Sequence, residues 1–133
     1  MLTNEQVLEW LKSLPSKADH YYSGTQDSKK EKSFGVYTLG DRRPNGMAIG
    51  GKATTKTAAH GVSILVHWNQ STRETQNAAI ALYEALESLE SVVIGGHPVN
   101  YIQMPYNEPI SVGADEKGVC EYVIEFVVWY ERG

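Results

Sequence analysis

Val119–Glu131 reads VCEYVIEFVVWYE. In an extended chain Cys120, Tyr122, Ile124, Phe126, Val128 and Tyr130 fall on one side, and Glu121, Val123, Glu125, Val127 and Trp129 on the other, because successive strand side chains point to opposite faces. The first side is apolar and fits a core. The second mixes acids with large apolar groups, as suits a sheet face covered partly by a helix and partly by another subunit. A strand of this length makes a sheet the frame of the fold.

A second strand fits beside it. Over Gly61–Trp68 the residues Val62, Ile64, Val66 and Trp68 alternate with Ser63, Leu65 and His67, which predicts a central strand with one firmly buried face. Next, Ser71 and Glu74 fit a capping box before a helix carrying Ala78, Ala79, Leu82, Tyr83, Leu86 and Leu89 at helical spacing. Val92–Ile94, the pair Gly95-Gly96 and Val99–Met104 predict a hairpin, with the glycines supplying positive φ in its turn. A loop with Pro105, Pro109 and Asp115–Gly118 is expected before the last strand. Toward the N-terminus, Thr3 and Gln6 fit another capping box and Leu2 and Val7 a hydrophobic staple. The apolar stripe of Val7, Leu11 and Leu14 ends at Pro15, giving an amphipathic lid of about three turns. Asp19–Ser23 and Ser33–Leu39, separated by polar residues, read as a hairpin. Gly40–Ala59 has no sustained periodicity and is expected to be a long flexible loop able to reach a partner. The expected fold is a single α+β domain over 1–133. Its sheet is mostly antiparallel, with two helices on one face.

Composition narrows the function. A chain of 133 residues, 41% hydrophobic and 21% charged, has the make-up of an ordinary globular domain. Its longest apolar stretches fall far short of the roughly 20 residues a bilayer span needs. An acid stands at Glu5, where a secretory signal would carry basic residues, so the protein is expected to be made in the cytoplasm. The lone Cys120 allows no intrachain disulfide and reads as a small buried apolar group. Residues 1–69 hold nine Lys or Arg against six acids, and residues 70–133 three against ten. The resulting net charge of −4 disfavours wrapping nucleic acid, which rests on many neutralised phosphates. The basic residues Lys29, Lys30, Lys32, Arg42, Arg43, Lys52 and Lys56 are the candidate subunit or partner contacts. The run Ser28–Lys32 among them also suits a solvated loop tip.

Catalytic and ligand patterns fail on inspection. Gly46, Gly51 and Lys52 match part of a phosphate-binding loop, but Ala53 replaces the hydroxyl that holds magnesium, and no strand and helix flank the match. Gly61-Val62-Ser63 begins like a nucleophile elbow, yet Leu65 stands where the second glycine belongs. Glu84 and Glu87 lie on a helix flank with no His nearby in sequence and read as solvated. His20, His60, His67 and His97 form no metal-ligand spacing, and in one strand His60 and His67 would face opposite ways. No cofactor, metal or catalytic residue is expected.

Ala48–Gly51, Val62–Asn69, Arg73–Thr75 and Leu82-Tyr83, with Glu108–Ile110, Glu121–Glu125 and Trp129–Glu131, resemble the minor capsid proteins encoded in the head-tail gene cluster of phages of Gram-positive bacteria. The resemblance runs from Ser33 to Arg132. It implies a non-enzymatic virion protein at the head-tail junction, most plausibly the tail terminator. Such a protein forms a hexameric ring that caps the tail tube and offers a docking surface to the head. The implied partners are copies of itself, the tail tube protein and a head-completion protein, with DNA passing through the lumen unbound. Six copies at −4 each would place −24 on a ring, which repels DNA phosphates. Two further readings are a head-completion connector on the portal side and a small hydrolase or nucleotide-binding enzyme.

Overall fold

The computed structural model describes residues 1–24, 30–39 and 57–132. The elements run α1 (Asn4–Leu11), β1 (His20–Ser23), β2 (Ser33–Thr38), β3 (Thr57–His67), α2 (Thr72–Glu87), β4 (Val93–Ile94), β5 (His97–Gln103), β6 (Ile110–Ala114) and β7 (Cys120–Glu131). Sheet order is β1-β2-β3-β7-β5-β4, with β6 also on β7. β3 pairs with β7 along its whole length, from Thr57↔Glu131 to His67↔Glu121. That leaves one edge of β7 for both other partners, so β5 lies along its C-terminal half and β6 along its N-terminal half. The α+β architecture expected from the pattern is the one observed.

The alternation of β7 explains where the helices sit. Val62, Ile64 and Val66 of β3 and Ile124, Phe126, Val128 and Tyr130 of β7 form one core cluster with Phe34 and Val36 of β2. Val7, Leu8 and Leu11 of α1 and Ala79, Leu82, Tyr83 and Leu86 of α2 complete it. Both helices therefore cover the same face. Each Val, Leu, Ile and Phe among them, once fully buried, contributes about 1.5–3 kcal/mol of transfer free energy. The Tyr130 hydroxyl accepts the Leu2 amide at 3.2 Å, which pins the N-terminal residues to the end of β7.

The ends of α1 follow its sequence. Gln6 donates its backbone amide to the Thr3 hydroxyl at 3.2 Å, and the Gln6 side chain accepts the Thr3 amide at 3.0 Å, completing the capping box. The helix stops at Leu11, shorter than expected, because Pro15 disfavours helical backbone at Leu14 and the Ser13 hydroxyl donates to the Trp10 carbonyl at 2.6 Å. Leu14 is still buried, on a turn bonded to Leu11. At α2 only half of the expected box forms. The Ser71 hydroxyl accepts the Glu74 amide at 3.2 Å, whereas the Glu74 carboxylate accepts the Asn69 side-chain amide at 2.8 Å.

Three expectations about strands are corrected. β1 and β2 are not a hairpin: they pair in parallel, from His20↔Ser33 to Ser23↔Val36. The nine-residue connection 24–32 can return along a four-residue strand only roughly 13 Å long, and Lys32 turns the chain with φ 54. The segment expected as loop before the last strand contains β6, a short edge strand with four of its five residues exposed. β3 starts at Thr57, so the last three residues of the loop expected over Gly40–Ala59 belong to the sheet, and the rest lie outside the described residues. The β4–β5 hairpin forms as expected, with Gly95 and Gly96 at φ 57 and 81. No helix among the described residues is long and apolar enough to cross a membrane.

Candidate functional site

Neither helix packs on the second face of the sheet. Ser63, Leu65 and His67 of β3 stand beside Glu125, Val123 and Glu121 of β7, with Gly35 and Tyr37 of β2 on the same side. At the far end Tyr101 of β5 stacks on Trp129 of β7, with ring centroids 5.9 Å apart and 15° between planes. Tyr101 is 55% exposed, and the Trp129 indole N–H donates to the Gln103 side chain at 2.9 Å. The face thus carries aromatic groups at one end and carboxylates along β7, the mixture expected from the second side of VCEYVIEFVVWYE.

At the other end lies a polar cluster. His67 is fully buried. Its Nδ1 lies 2.8 Å from Oε2 of Glu121, and its Nε2 lies 3.7 Å from Oδ2 of Asp115. Asp115 caps the turn between β6 and β7: its Oδ1 accepts the amides of Lys117 at 2.8 Å and Val119 at 3.0 Å. These amide bonds, the Val119 bond foremost, hold the Asp115 carboxyl below the usual carboxylate range. Tyr37 is pushed up, first by burial and then by the charge of Glu121. His60, paired to Val128, faces the core side, opposite to His67 as its spacing predicts. There it meets Oδ1 of Asn4 at 2.8 Å through Nε2, and burial lowers its pKa.

The sequence-predicted contacts are only partly within view. Lys30 and Lys32 are exposed at the entry to β2, where the Lys32 amide donates to the Trp68 carbonyl at 2.8 Å and its carbonyl accepts the Asp19 amide at 2.7 Å. Lys29, Arg42, Arg43, Lys52 and Lys56 lie outside the described residues, as does the Gly46–Lys52 motif. Ser63 sits inside β3, not at a turn, and Glu84 and Glu87 are exposed. Cys120 is half-buried beside the Thr72 hydroxyl at 3.7 Å. Among the described residues, spacing failed to reveal the cluster of His67, Asp115 and Glu121, since β3, β7 and the turn between β6 and β7 bring it together. A shallow cleft of about 280 Å³ lies between Leu89–Val92 and Val99–Ile102.

Comparison with known proteins agrees with this picture. A chain of the virion of a native gene transfer agent particle matches with a TM-score of 0.56 at 14% identity, over 91% of this chain and 84% of that one. At such identity the likeness speaks to the fold alone. No curated protein matches the sequence. The family model described as bacteriophage tail terminator protein matches residues 1–132. That family is structural, not enzymatic, and a match of this extent spans all the elements described above: the chain belongs to the bacteriophage tail terminator family.

Proposed function

We propose that this protein closes the growing end of a phage tail tube as a homo-oligomeric ring of six subunits and presents the opposite surface to the head-completion protein. The family match over residues 1–132 carries this reading. The sheet supplies means of assembly: a face on which neither α1 nor α2 packs, mixing stacked aromatics with carboxylates, and a short outer strand, β1, at the end of the sheet order. Closed rings are built from heterologous contacts, in which one patch meets a different patch on the neighbour. Basic residues in the first half of the chain and acids in the second supply opposite charges for such a contact. Lys29, Lys30, Lys32, Arg42, Arg43, Lys52 and Lys56 are the proposed cationic side. The net charge of −4 per chain lets DNA pass the lumen without adhering.

The test uses tail tubes from a lysate defective in head formation, incubated with the purified protein. The reading predicts binding at one end of each tube only. Binding along the tube wall, or to isolated heads in preference to tubes, would contradict it. Charge reversal at Lys30 and Lys32 together is expected to weaken end-binding without lowering the melting temperature, because both side chains are exposed.

A further inference from the structure

We propose that His67, Asp115 and Glu121 form a binding site for one divalent transition-metal ion of the zinc class, with Nε2 of His67 and Oδ2 of Asp115 as ligands and Glu121 as the carboxylate that orients the imidazole. The site is independent of the tail-capping reading. One ligand-type atom from each residue lies within 4.8 Å of the others.

The hydrogen bonding of His67 points to a cation. A neutral imidazole has one N–H and one lone pair. In the neutral ring, Glu121 Oε2, 2.8 Å from Nδ1, is placed to accept that N–H, which leaves the lone pair on Nε2 at the other side. Nε2 is buried and has no hydrogen-bond partner among the described residues, and what it faces is a carboxylate oxygen at 3.7 Å. A lone pair against an ionised carboxylate is repulsive, and a buried polar atom left unpaired costs about 1–3 kcal/mol. A cation between the two atoms removes both penalties. With both carboxylates ionised the cluster carries two negative charges, which a divalent ion neutralises and a single proton does not.

The geometry and donor set agree with this choice. Zinc lies about 2.0–2.2 Å from imidazole nitrogen and carboxylate oxygen, which puts two tetrahedral ligands about 3.4 Å apart. The observed 3.7 Å needs a shift of only a few tenths of an ångström. A nitrogen donor favours zinc-class ions over calcium and magnesium, which prefer all-oxygen sites. A carboxylate on the far ring nitrogen is the outer-shell arrangement that fixes the tautomer of metal-bound histidines. The Asp115 and Glu121 side chains are 16% and 19% exposed, so the carboxylates reach solvent while the imidazole does not. An ion there would fasten the β6–β7 turn to the end of β3.

The experiment titrates Zn²⁺ into the chelator-treated full chain, with any affinity tag removed, and follows stoichiometry by calorimetry and melting temperature. Co²⁺ serves as a spectroscopic probe of coordination. One ion per chain and a metal-dependent rise in melting temperature are expected. Asp115→Asn keeps an Oδ1 acceptor for the turn amides but should abolish both, while Glu121→Gln should weaken affinity roughly 10- to 100-fold. Absence of binding, or equal binding by wild type and Asp115→Asn, would overturn the proposal. So would a melting temperature that ignores Zn²⁺ but rises on acidification, since that would assign the cluster to a proton on His67.

Discussion

His60 and His67 show how register divides two like residues. They share β3, yet His60 lies opposite Val128 on the helix-covered face and His67 opposite Glu121 on the other. Burial disfavours the charged form of His60, so its pKa is lowered. A base whose folded pKa lies below its unfolded value stabilises the fold fully above the unfolded pKa, and that contribution is lost as pH falls toward the folded one. Stability should therefore decline as pH falls below the ordinary imidazole value of about 6.5. His60→Gln keeps a donor for Asn4 without a titrating ring and should flatten part of that decline. An unchanged pH dependence of the melting temperature in the variant would remove His60 from the account. The opposite facing of the two histidines was legible from their spacing. The joining of His67 to Asp115 and Glu121 was not, because it depends on the path of the turn after β6.

At the scale of elements, legibility followed burial. β3, β7 and α2 each bury a continuous stripe, and their periodicity could be read directly. β1 and β6 bury little, so hydrophobic pattern could fix neither their direction nor their existence. The parallel pairing of β1 depends on how its connection returns, a matter of loop path that side-chain periodicity does not encode. Gly95 links two elements that did read correctly. It has φ 57, and a Cβ built there would stand 2.5 Å from Cδ of Gln6, the residue that completes the cap of α1. Gly95→Ala should cost about 1–2 kcal/mol from left-handed backbone, with a further loss if Gln6 is pushed off its cap. A melting temperature equal to wild type would show that the turn can relax. Leu82 is wholly buried between α2 and the sheet, and Leu82→Ala should lower stability by about 2–5 kcal/mol in denaturant unfolding. A loss well under 1 kcal/mol would contradict its place in the core.

For the whole molecule, the sheet divides the labour. One face holds the helices and the core. The other keeps Tyr101 exposed over Trp129 and sets Glu121 and Glu125 along β7, leaving chemistry suited to contact with other chains. The chain belongs to a structural, non-enzymatic family, so its action is tested through assembly and not through turnover. Tail length is the direct readout of that action. Inactivating this protein's coding sequence in an infecting phage, then measuring tails by electron microscopy of the lysate, should yield tubes longer than wild type and without heads attached. Restoring the intact chain should return both normal length and joined heads. Tails of normal length in its absence would contradict the account.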